Sequence, residues 1–302
     1  MHGYGLFERK IEVLCTLKKD FKLSQISTIH TGGRARYYAV VHSIKNLRKT
    51  IKLCQCFNIK YMVVGNCSNI LFLDDGFDGV VISLKLLNKI KISKNKIKAQ
   101  AGAMLGQVAH LAQQKGLSGL EWSVGIPASV GGAVVMNAGA FSGDIKSVFD
   151  YAEVLNVVRN KIVKIKNIEY SAQHHKSLFT NNHNYVIIYL SLKLSYSNCQ
   201  TVLSRMQEII SIRHKTQNVG FCSLGSVFCR GDSKYPPAYM IEKSGLKGVC
   251  VGGASVSVVH SGYIVNTGNA TSADVLALIN LIKSKISQDW KVNLENEIII
   301  GE

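Results

Sequence analysis

Two glycine-rich segments without charged residues constrain this chain more than any other feature of its sequence. The first, VGNCSNIL at residues 64–71, has the pattern of a strand, a tight turn and a second strand. The second is GIPASVGGAVVMNAGA at residues 125–140. Glycine lets a backbone approach a flat or anionic ligand closely, and successive N–H groups in a turn can surround a phosphate. Each segment is therefore a candidate ligand-lining turn, with a plain hairpin turn and a crowded core turn, respectively, as the alternatives.

The better-known nucleotide motifs are missing from the sequence. No Gly-x-Gly-x-x-Gly opens a helix after a strand, which leaves a Rossmann dinucleotide domain unsupported. No Gly-x4-Gly-Lys-Ser/Thr occurs, so a P-loop is unsupported as well.

The order of the predicted elements favours an α+β fold over a doubly wound sheet. Apolar residues at helical spacing predict a helix over 44–57, and a second helix over 104–115 is ended by Gly116. Thr271 and Asp274 form a capping-box pair at the start of the last helix. A further helix is expected at 201–215, and strands at 61–64, 69–72, 79–83, throughout 150–195, at 220–229 and at 249–266.

The chain is strongly basic, with a formal charge of +17. In its densest part, LKLLNKIKISKNKIK at 84–98, lysines alternate with apolar residues, which predicts the solvated face of one or two strands. Nucleic-acid sites usually add arginine and aromatic residues, and this run has neither. We therefore expect no nucleic-acid partner, and a basic cleft would also suit a nucleotide diphosphate.

Cysteine spacing and hydropathy together predict where the protein is located. None of the eight cysteines forms a Cys-x-x-Cys pair, so we expect no metal site and mostly buried, reduced thiols. No apolar run approaches the ~20 residues of a spanning helix, and the N-terminus lacks a signal-peptide pattern. A cytoplasmic protein with no membrane partner is expected.

The two glycine-rich segments together resemble the FAD-binding half of the UDP-N-acetylenolpyruvoylglucosamine reductase family. In that family a Gly-x-Gly-Ser-Asn turn and a Gly-Ile-Pro-Gly-x-x-Gly-Gly-x5-Asn-Ala-Gly segment wrap the flavin. Further matching motifs follow in the family's order, and the resemblance covers the chain from Thr31 onward. These motifs are LGSVF at 224–228, GLKG at 245–248, GGA at 252–254, HSGYIVN at 260–266, NATSADV at 269–275 and LENEIIIG at 294–301.

The resemblance implies an α+β protein in two parts. Residues 1–195 would form an FAD-binding region of two small α+β units (PCMH-type), and residues 196–302 an α+β substrate-binding domain. The implied activity is the FAD-dependent reduction of UDP-N-acetylglucosamine enolpyruvate to UDP-N-acetylmuramate, a step of peptidoglycan precursor synthesis. NADPH would be the co-substrate, and a monomer is expected.

The resemblance also assigns roles to individual residues. Ser226 would be the proton donor, Glu297 the acid near the substrate carboxylate, and His175 would stand where the family has an arginine that steadies that carboxylate. Arg213 and His260 would bind substrate. The implied cofactor-binding residues are Gly65, Asn66, Cys67, Ser68, Asn69, Gly125, Ile126, Ser129, Gly131, Gly132, Asn137 and Gly139.

Several positions depart from the family pattern. Cys67 and Ala128 replace glycines, Cys229-Arg-Gly replaces Lys-Asn-Pro, and HHKS at 174–177 replaces Tyr-Arg-x-Ser. Histidine has fewer donors than arginine and is cationic only below about pH 6.5 when unperturbed. Lys176 or Arg230 could instead do the arginine's work. The alternative functions are a catalytically weakened or lapsed flavin-binding relative, another flavoprotein oxidase of the same superfamily, or a basic nucleic-acid binder.

Overall fold

The computed structural model describes residues 2–167, 170, 172–173, 176–180, 182–217, 220, 222–229 and 233–301. These residues contain the following α-helices: α1 His2–Glu12, α2 Ile44–Cys56, α3 Leu105–Gln114, α4 Val130–Val135, α5 Ile145–Val148, α6 Cys199–Thr216, α7 Pro237–Lys243 and α8 Ser272–Trp290. Short 3-10 helices lie at Leu23–Gln25 and Glu121–Ser123.

The strands pair mostly in antiparallel sheets beside the helices, which confirms the expected α+β class. They are β1 Cys15–Lys22, β2 Arg34–Val41, β3 Tyr61–Val64, β4 Ile70–Phe72, β5 Phe77–Ser83, β6 Ile90–Ser93, β7 Lys96–Gln100, β8 Leu117–Ser118, β9 Gly139–Ala140, β10 Gly143–Asp144, β11 Phe149–Asn156, β12 Lys161–Lys166, β13 Ala172–Gln173, β14 Lys176–Ser177, β15 Tyr185–Lys193, β16 Ser195–Tyr196, β17 Ser223–Ser226, β18 Cys250–Val251, β19 Ala254–Val256, β20 Tyr263–Asn266 and β21 Ile299–Gly301.

The chain divides into two compact units that are discontinuous in sequence. Unit 1 comprises Met1–Asp20, Arg36–Asn66 and Asp78–Ser211. Unit 2 comprises Phe21–Ala35, Cys67–Phe77 and Ile212–Glu302. A boundary between the units thus falls inside the first glycine-rich segment, between Asn66 and Cys67.

Unit 1 is built around two sheets. Most of a four-stranded sheet, in the order β1-β2-β5-β3, belongs to it, and β3 and β5 pair in parallel. A five-stranded sheet in the order β12-β11-β15-β7-β6 is antiparallel throughout. Its inner face, including Ile97, Leu190 and Leu192, is buried with Val108 of α3 and Val134 of α4. Its outer face is polar, as the period of two in a half-buried strand requires.

Unit 2 has a four-stranded sheet in the order β17-β20-β19-β18, and α8 packs on it. Leu278, Ile279 and Ile282 of α8 share one buried core with Val256 and Ile264 of the sheet. The segment that contains β4 joins this unit by parallel pairing with β21.

The N-terminus of α8 is held by carboxylates. The Asp74 carboxylate accepts hydrogen bonds from the Ser272 and Ala273 N–H groups at 2.9 and 3.0 Å. The predicted capping box of Thr271 and Asp274 is present, with both of its hydrogen bonds. Each interaction satisfies N–H groups that a helix leaves open at its start, which fixes α8 against the segment that precedes β5.

Most sequence-predicted elements are confirmed, within two residues at each end. The helices expected at 44–57 and 104–115 are α2 and α3, and Gly116 ends α3 with a φ of +63°. The alternating lysine run forms the antiparallel strands β6 and β7. The helix α1 was not predicted, although Phe7 and Ile11, four residues apart, are fully buried.

The motif at 294–301 contains one bridge, between Phe228 and Asn296, and the strand β21 at Ile299–Gly301. One expectation is wrong: the thiols are not mostly buried, because only Cys15, Cys54 and Cys67 are buried.

Among the described residues, no helix has both the length and the apolar character needed to cross a membrane. In the same part of the chain, no three His, Cys, Asp or Glu side chains group in a way that could hold a metal ion.

Candidate functional site

The two glycine-rich segments meet directly within unit 1. A Cβ atom on Gly65 would lie 2.0 Å from the Ser129 Oγ, so any larger residue there would push the second segment away. The Asn66 side-chain amide donates to the Pro127 carbonyl at 2.7 Å. Ser129 is itself buried and accepts a hydrogen bond from the Gly132 N–H as the N-cap of α4. The turn after β3 and the start of α4 therefore form one continuous surface.

The adjacent glycines of α4 have different structural requirements. A Cβ on Gly131 would lie 2.9 Å from the Ala101 Cβ, and the Gly131 N–H donates to the Ala101 carbonyl at 2.8 Å. Gly132 is exposed, and the nearest atom to its Cβ position is the Ser129 Oγ at 3.4 Å. Gly131 is thus required for packing inside the protein, whereas Gly132 leaves an open backbone surface that a ligand can approach.

The remaining predicted residues of the second segment shape the turn itself. Gly125 has a φ of +80°, which favours glycine, and Ile126 packs against the core of unit 1. The Asn137 amide donates to the Asp144 carboxylate at 3.1 Å and accepts from the Lys146 N–H at 2.9 Å. A Cβ on Gly139 would lie 2.9 Å from the Asp144 Cβ. Asn137 and Gly139 therefore hold the hairpin that follows α4.

The second half of the first glycine-rich segment belongs to unit 2. Cys67 is buried and has a φ of +53°, a conformation that favours the glycine it replaces. Burial raises the pKa of its thiol to about 12, so the thiol is inert. Ser68 is partly exposed. The Asn69 amide donates to the Glu297 carbonyl at 3.1 Å, and the Asn69 carbonyl accepts from the Ile299 N–H at 2.9 Å.

Ser226 ends β17 in unit 2 and lies opposite Tyr263 of β20. Directly opposed residues of an antiparallel pair point to the same face, so the serine hydroxyl and the tyrosine ring share one side of the sheet. Gly225, with a φ of +74°, accompanies a register shift between Ser223 and Ser226. Because of this irregularity, Ser226 lies at the end of the pairing between β17 and β20.

Glu297 is tied to the residue after Ser226 by a main-chain hydrogen bond. Its N–H donates to the Val227 carbonyl at 2.8 Å, and the Cys229 N–H donates to the Glu295 carbonyl at 2.9 Å. Glu295 is exposed, whereas Glu297 is partly buried, and burial raises the pKa of the Glu297 carboxyl to about 8. At neutral pH Glu297 is therefore mostly protonated and can donate a hydrogen bond.

Tyr263 of β20 interacts electrostatically with both Glu297 and Arg213 of α6. Arg213 is 5% exposed and donates from Nη1 to the Gln217 Oε1 at 2.5 Å. Burial lowers the pKa of Arg213, and Tyr263 acts in the opposite direction. Burial raises the pKa of Tyr263, which Arg213 opposes and Glu297 reinforces. The structure thus brings Ser226, Glu297 and Arg213 together around Tyr263, a residue that the sequence analysis did not select.

His260 is held in its own turn beside Tyr263. Its Nδ1 accepts a hydrogen bond from the Gly262 N–H at 3.2 Å, and the two rings lie 4.6 Å apart. Burial lowers the pKa of His260 below its ordinary 6.5, so the imidazole is neutral at pH 7. His175 and His174 lie outside the described residues.

Two family models match separate parts of the chain. Residues 35–165 match an FAD binding domain, and residues 217–301 match the C-terminal domain of UDP-N-acetylenolpyruvoylglucosamine reductase. Together they define a flavin-dependent oxidoreductase. The uncharged segment at 125–140 and the open backbone at Gly132 fit a flat cofactor that must approach the main chain closely.

Relatives match over nearly the whole chain. A UDP-N-acetylenolpyruvoylglucosamine reductase from Caldicellulosiruptor saccharolyticus is 38% identical, covering 98% of this chain and 96% of the relative. One from Clostridium novyi is 36% identical, covering 95% and 92%. The crystal structure of the reductase from Thermus caldophilus has a TM-score of 0.80 at 28% identity, covering 95% of this chain and 100% of that chain. The chain belongs to the UDP-N-acetylenolpyruvoylglucosamine reductase family.

The two adjacent glycines give a matched test of flavin binding. Gly132→Val should abolish FAD binding while the protein stays folded, because the added side chain enters the open surface. Gly131→Val should instead lower the thermal midpoint by several degrees, because the side chain collides with Ala101. The measurements are flavin absorbance after gel filtration and thermal unfolding. Full flavin content in Gly132→Val would place the cofactor elsewhere.

The raised pKa of Glu297 predicts a pH-dependent stability. The folded protein holds this proton more tightly than the unfolded chain, whose value is the ordinary 4.5. The resulting stabilisation is complete below about pH 4.5 and is lost as the pH rises towards 8. Glu297→Gln removes this dependence. As the pH rises from 4.5 to 8, the urea unfolding midpoint of the variant should therefore increase relative to that of the wild type. Glu295→Gln, an exposed control, should follow the wild type; parallel curves for all three proteins would contradict the assignment.

Proposed function

We propose that this protein reduces UDP-N-acetylglucosamine enolpyruvate to UDP-N-acetylmuramate in peptidoglycan precursor synthesis, with NADPH as electron donor. Family membership over 98% of the chain with a relative of that name supports the substrate. The observation that carries the chemistry is the main-chain pairing that places the Glu297 acid beside the turn that holds Ser226.

The reaction adds a hydride and a proton across the enolpyruvyl double bond. When bound and reduced by NADPH, the flavin would supply the hydride to the terminal carbon. Negative charge then develops through the second carbon into the substrate carboxylate, which needs hydrogen-bond donors and positive charge around it. In our proposal the protonated Glu297 donates to that carboxylate, and the buried Arg213 guanidinium stabilises it.

Ser226 is proposed to donate the proton to the second carbon. A general acid must reach its carbon within hydrogen-bond distance and be able to release the proton. The Glu297 main chain bonds to the residue after Ser226, and Tyr263 lies opposite Ser226, so these two acids are proposed to resupply its proton. His260, neutral at pH 7, is proposed to bind substrate as an uncharged group.

The cofactor is proposed to lie along the glycine-rich surface. Gly132 leaves room for it and Gly65 lets the two segments meet, while Asn137 and Gly139 support the turn. We further propose that residues 1–195 carry FAD binding and residues 196–302 carry substrate binding, in a cytoplasmic monomer. The remaining proposed FAD-binding residues are Asn66, Cys67, Ser68, Asn69, Gly125, Ile126 and Ser129, and Gly131 supports their surface by packing against Ala101.

The visible spectrum of the purified protein tests this function. A yellow protein that NADPH bleaches anaerobically, and that regains its colour on addition of the UDP-sugar enolpyruvate, would support the reductase. Bleaching that the UDP-sugar does not reverse would indicate a catalytically lapsed relative. Recovery with oxygen but not with the UDP-sugar would indicate an oxidase.

Ser226→Ala should slow only the half of the reaction that needs the proton. NADPH should bleach the variant at the wild-type rate, whereas recovery of colour with the UDP-sugar should slow by about 10²–10⁴-fold. Stopped-flow absorbance separates the two halves. Ser223→Ala, on the same strand, is the control and should leave both rates unchanged; equal slowing of both halves in Ser226→Ala would refute the role.

His175 is proposed to take the place of the family arginine. Histidine carries its charge only at lower pH, so substrate affinity should improve as the pH falls from 8 towards 6. His175→Arg should raise the affinity and flatten this response, because arginine stays charged and can grip a carboxylate with two hydrogen bonds. The measurement is the KM for the UDP-sugar across this range. An unchanged KM and pH profile would assign the carboxylate to another residue, such as Lys176 or Arg230.

A further inference from the structure

The outer face of the five-stranded sheet in unit 1 carries lysines contributed by four of its strands. The strand register aligns one row across the whole sheet, from Lys166 through Tyr151, Ser191 and Lys98 to Lys91. Because directly opposed residues share a face, these side chains lie on one surface. Two neighbouring rows place Lys164 opposite Glu153, and Lys193 opposite Lys96. We call this surface the lysine face; its lysines are Lys91, Lys96, Lys98, Lys164, Lys166 and Lys193.

The lysine face keeps a net positive charge after its internal ion pairs are counted. Asp150 pairs with Lys96 at 2.9 Å, and Glu153 pairs with Lys98 at 2.5 Å. Leaving Lys166 aside, the other five lysines against these two carboxylates leave three positive charges among the described residues. All of the lysines except Lys98 are exposed. Five strands about 4.8 Å apart spread this charge over about 19 Å.

The two tyrosines of the lysine face are covered by ammonium groups. The Lys164 Nζ lies 3.5 Å from the ring centroid of Tyr151, and the Lys98 Nζ lies 4.5 Å from that of Tyr189. These cation–π contacts hold both lysines close to the sheet. A single-stranded nucleic acid would need the ring faces for base stacking. The geometry therefore favours a partner with a broad anionic surface, which would interact with the lysines through charge alone.

We propose that the lysine face binds an anionic phospholipid surface. Lysines near such a surface each strengthen binding by about five-fold, and a broad charged face engages many head groups at once. The expectation of no membrane partner rests on the lack of a spanning apolar run, which does not bear on a charged surface. The run at 84–98 does not show this surface by itself, because the lysines of β12 and β15 join those of β6 and β7 only in the folded sheet. The interaction is peripheral and independent of the proposed reaction.

Vesicle binding by the full-length protein tests the proposal. The protein should sediment with vesicles of mixed phosphatidylglycerol and phosphatidylcholine, and not with phosphatidylcholine alone. Raising the salt from about 0.1 M to about 1 M shortens the screening length from about 10 to 3 Å and should release it. Lys91→Gln/Lys164→Gln/Lys193→Gln should lower the partition coefficient by about 100-fold.

A second triple variant controls for net charge. Lys45→Gln/Lys49→Gln/Lys52→Gln removes the same charge from exposed positions of α2 and should retain wild-type binding. Equal loss of vesicle binding in both variants would show that binding depends on overall charge and not on the lysine face, which would overturn the proposal. So would the absence of sedimentation, or lysine-face-dependent binding to a single-stranded oligonucleotide without binding to the vesicles.

Discussion

A short main-chain ladder organises the proposed catalytic part of unit 2. The Glu297 N–H donates to the Val227 carbonyl, and the Cys229 N–H donates to the Glu295 carbonyl. On its other side the same segment is held by Asn69, whose side-chain amide donates to the Glu297 carbonyl and whose carbonyl accepts from the Ile299 N–H. Main-chain groups take part in every one of these bonds, which satisfies their need for hydrogen-bond partners. The same few contacts therefore position Glu297, the turn that holds Ser226 and the second half of the first glycine-rich segment.

Burial sets the protonation properties of the side chains in this part of unit 2. The raised pKa of Glu297 turns a carboxylate into a neutral donor at pH 7, and the buried Arg213 supplies positive charge beside Tyr263. In the proposed reaction, a neutral acid and a buried cation would stabilise the negative charge that develops on the substrate. Glu295, two residues away, is exposed, and sequence spacing alone does not distinguish it from Glu297.

Much of the fold follows from local sequence signals. The apolar spacing in α2, the glycine after α3 and the capping box of α8 each act within a few residues, so their predictions were confirmed. Features that depend on packing were missed. Gly131 and Gly132 are equivalent in sequence, and only the position of Ala101 separates the packing glycine from the open one.

The candidate site shows the same division between local and long-range information. Family motifs selected Ser226, Glu297 and Arg213, but the contribution of Tyr263 depends on strand register between β17 and β20. The lysine face likewise exists only after four strands are placed side by side.

The residues gathered around Ser226 are proposed to complete the reduction of a UDP-sugar enolpyruvate. The mass of the sugar product after anaerobic incubation with the protein, FAD and NADPH tests this most directly, because oxygen cannot consume electrons there. We predict a product heavier than the substrate by one pair of hydrogens, formed in a one-to-one ratio with the NADPH oxidised. Oxidation of NADPH without this product, or an unchanged sugar in the presence of fully bound flavin, would contradict it.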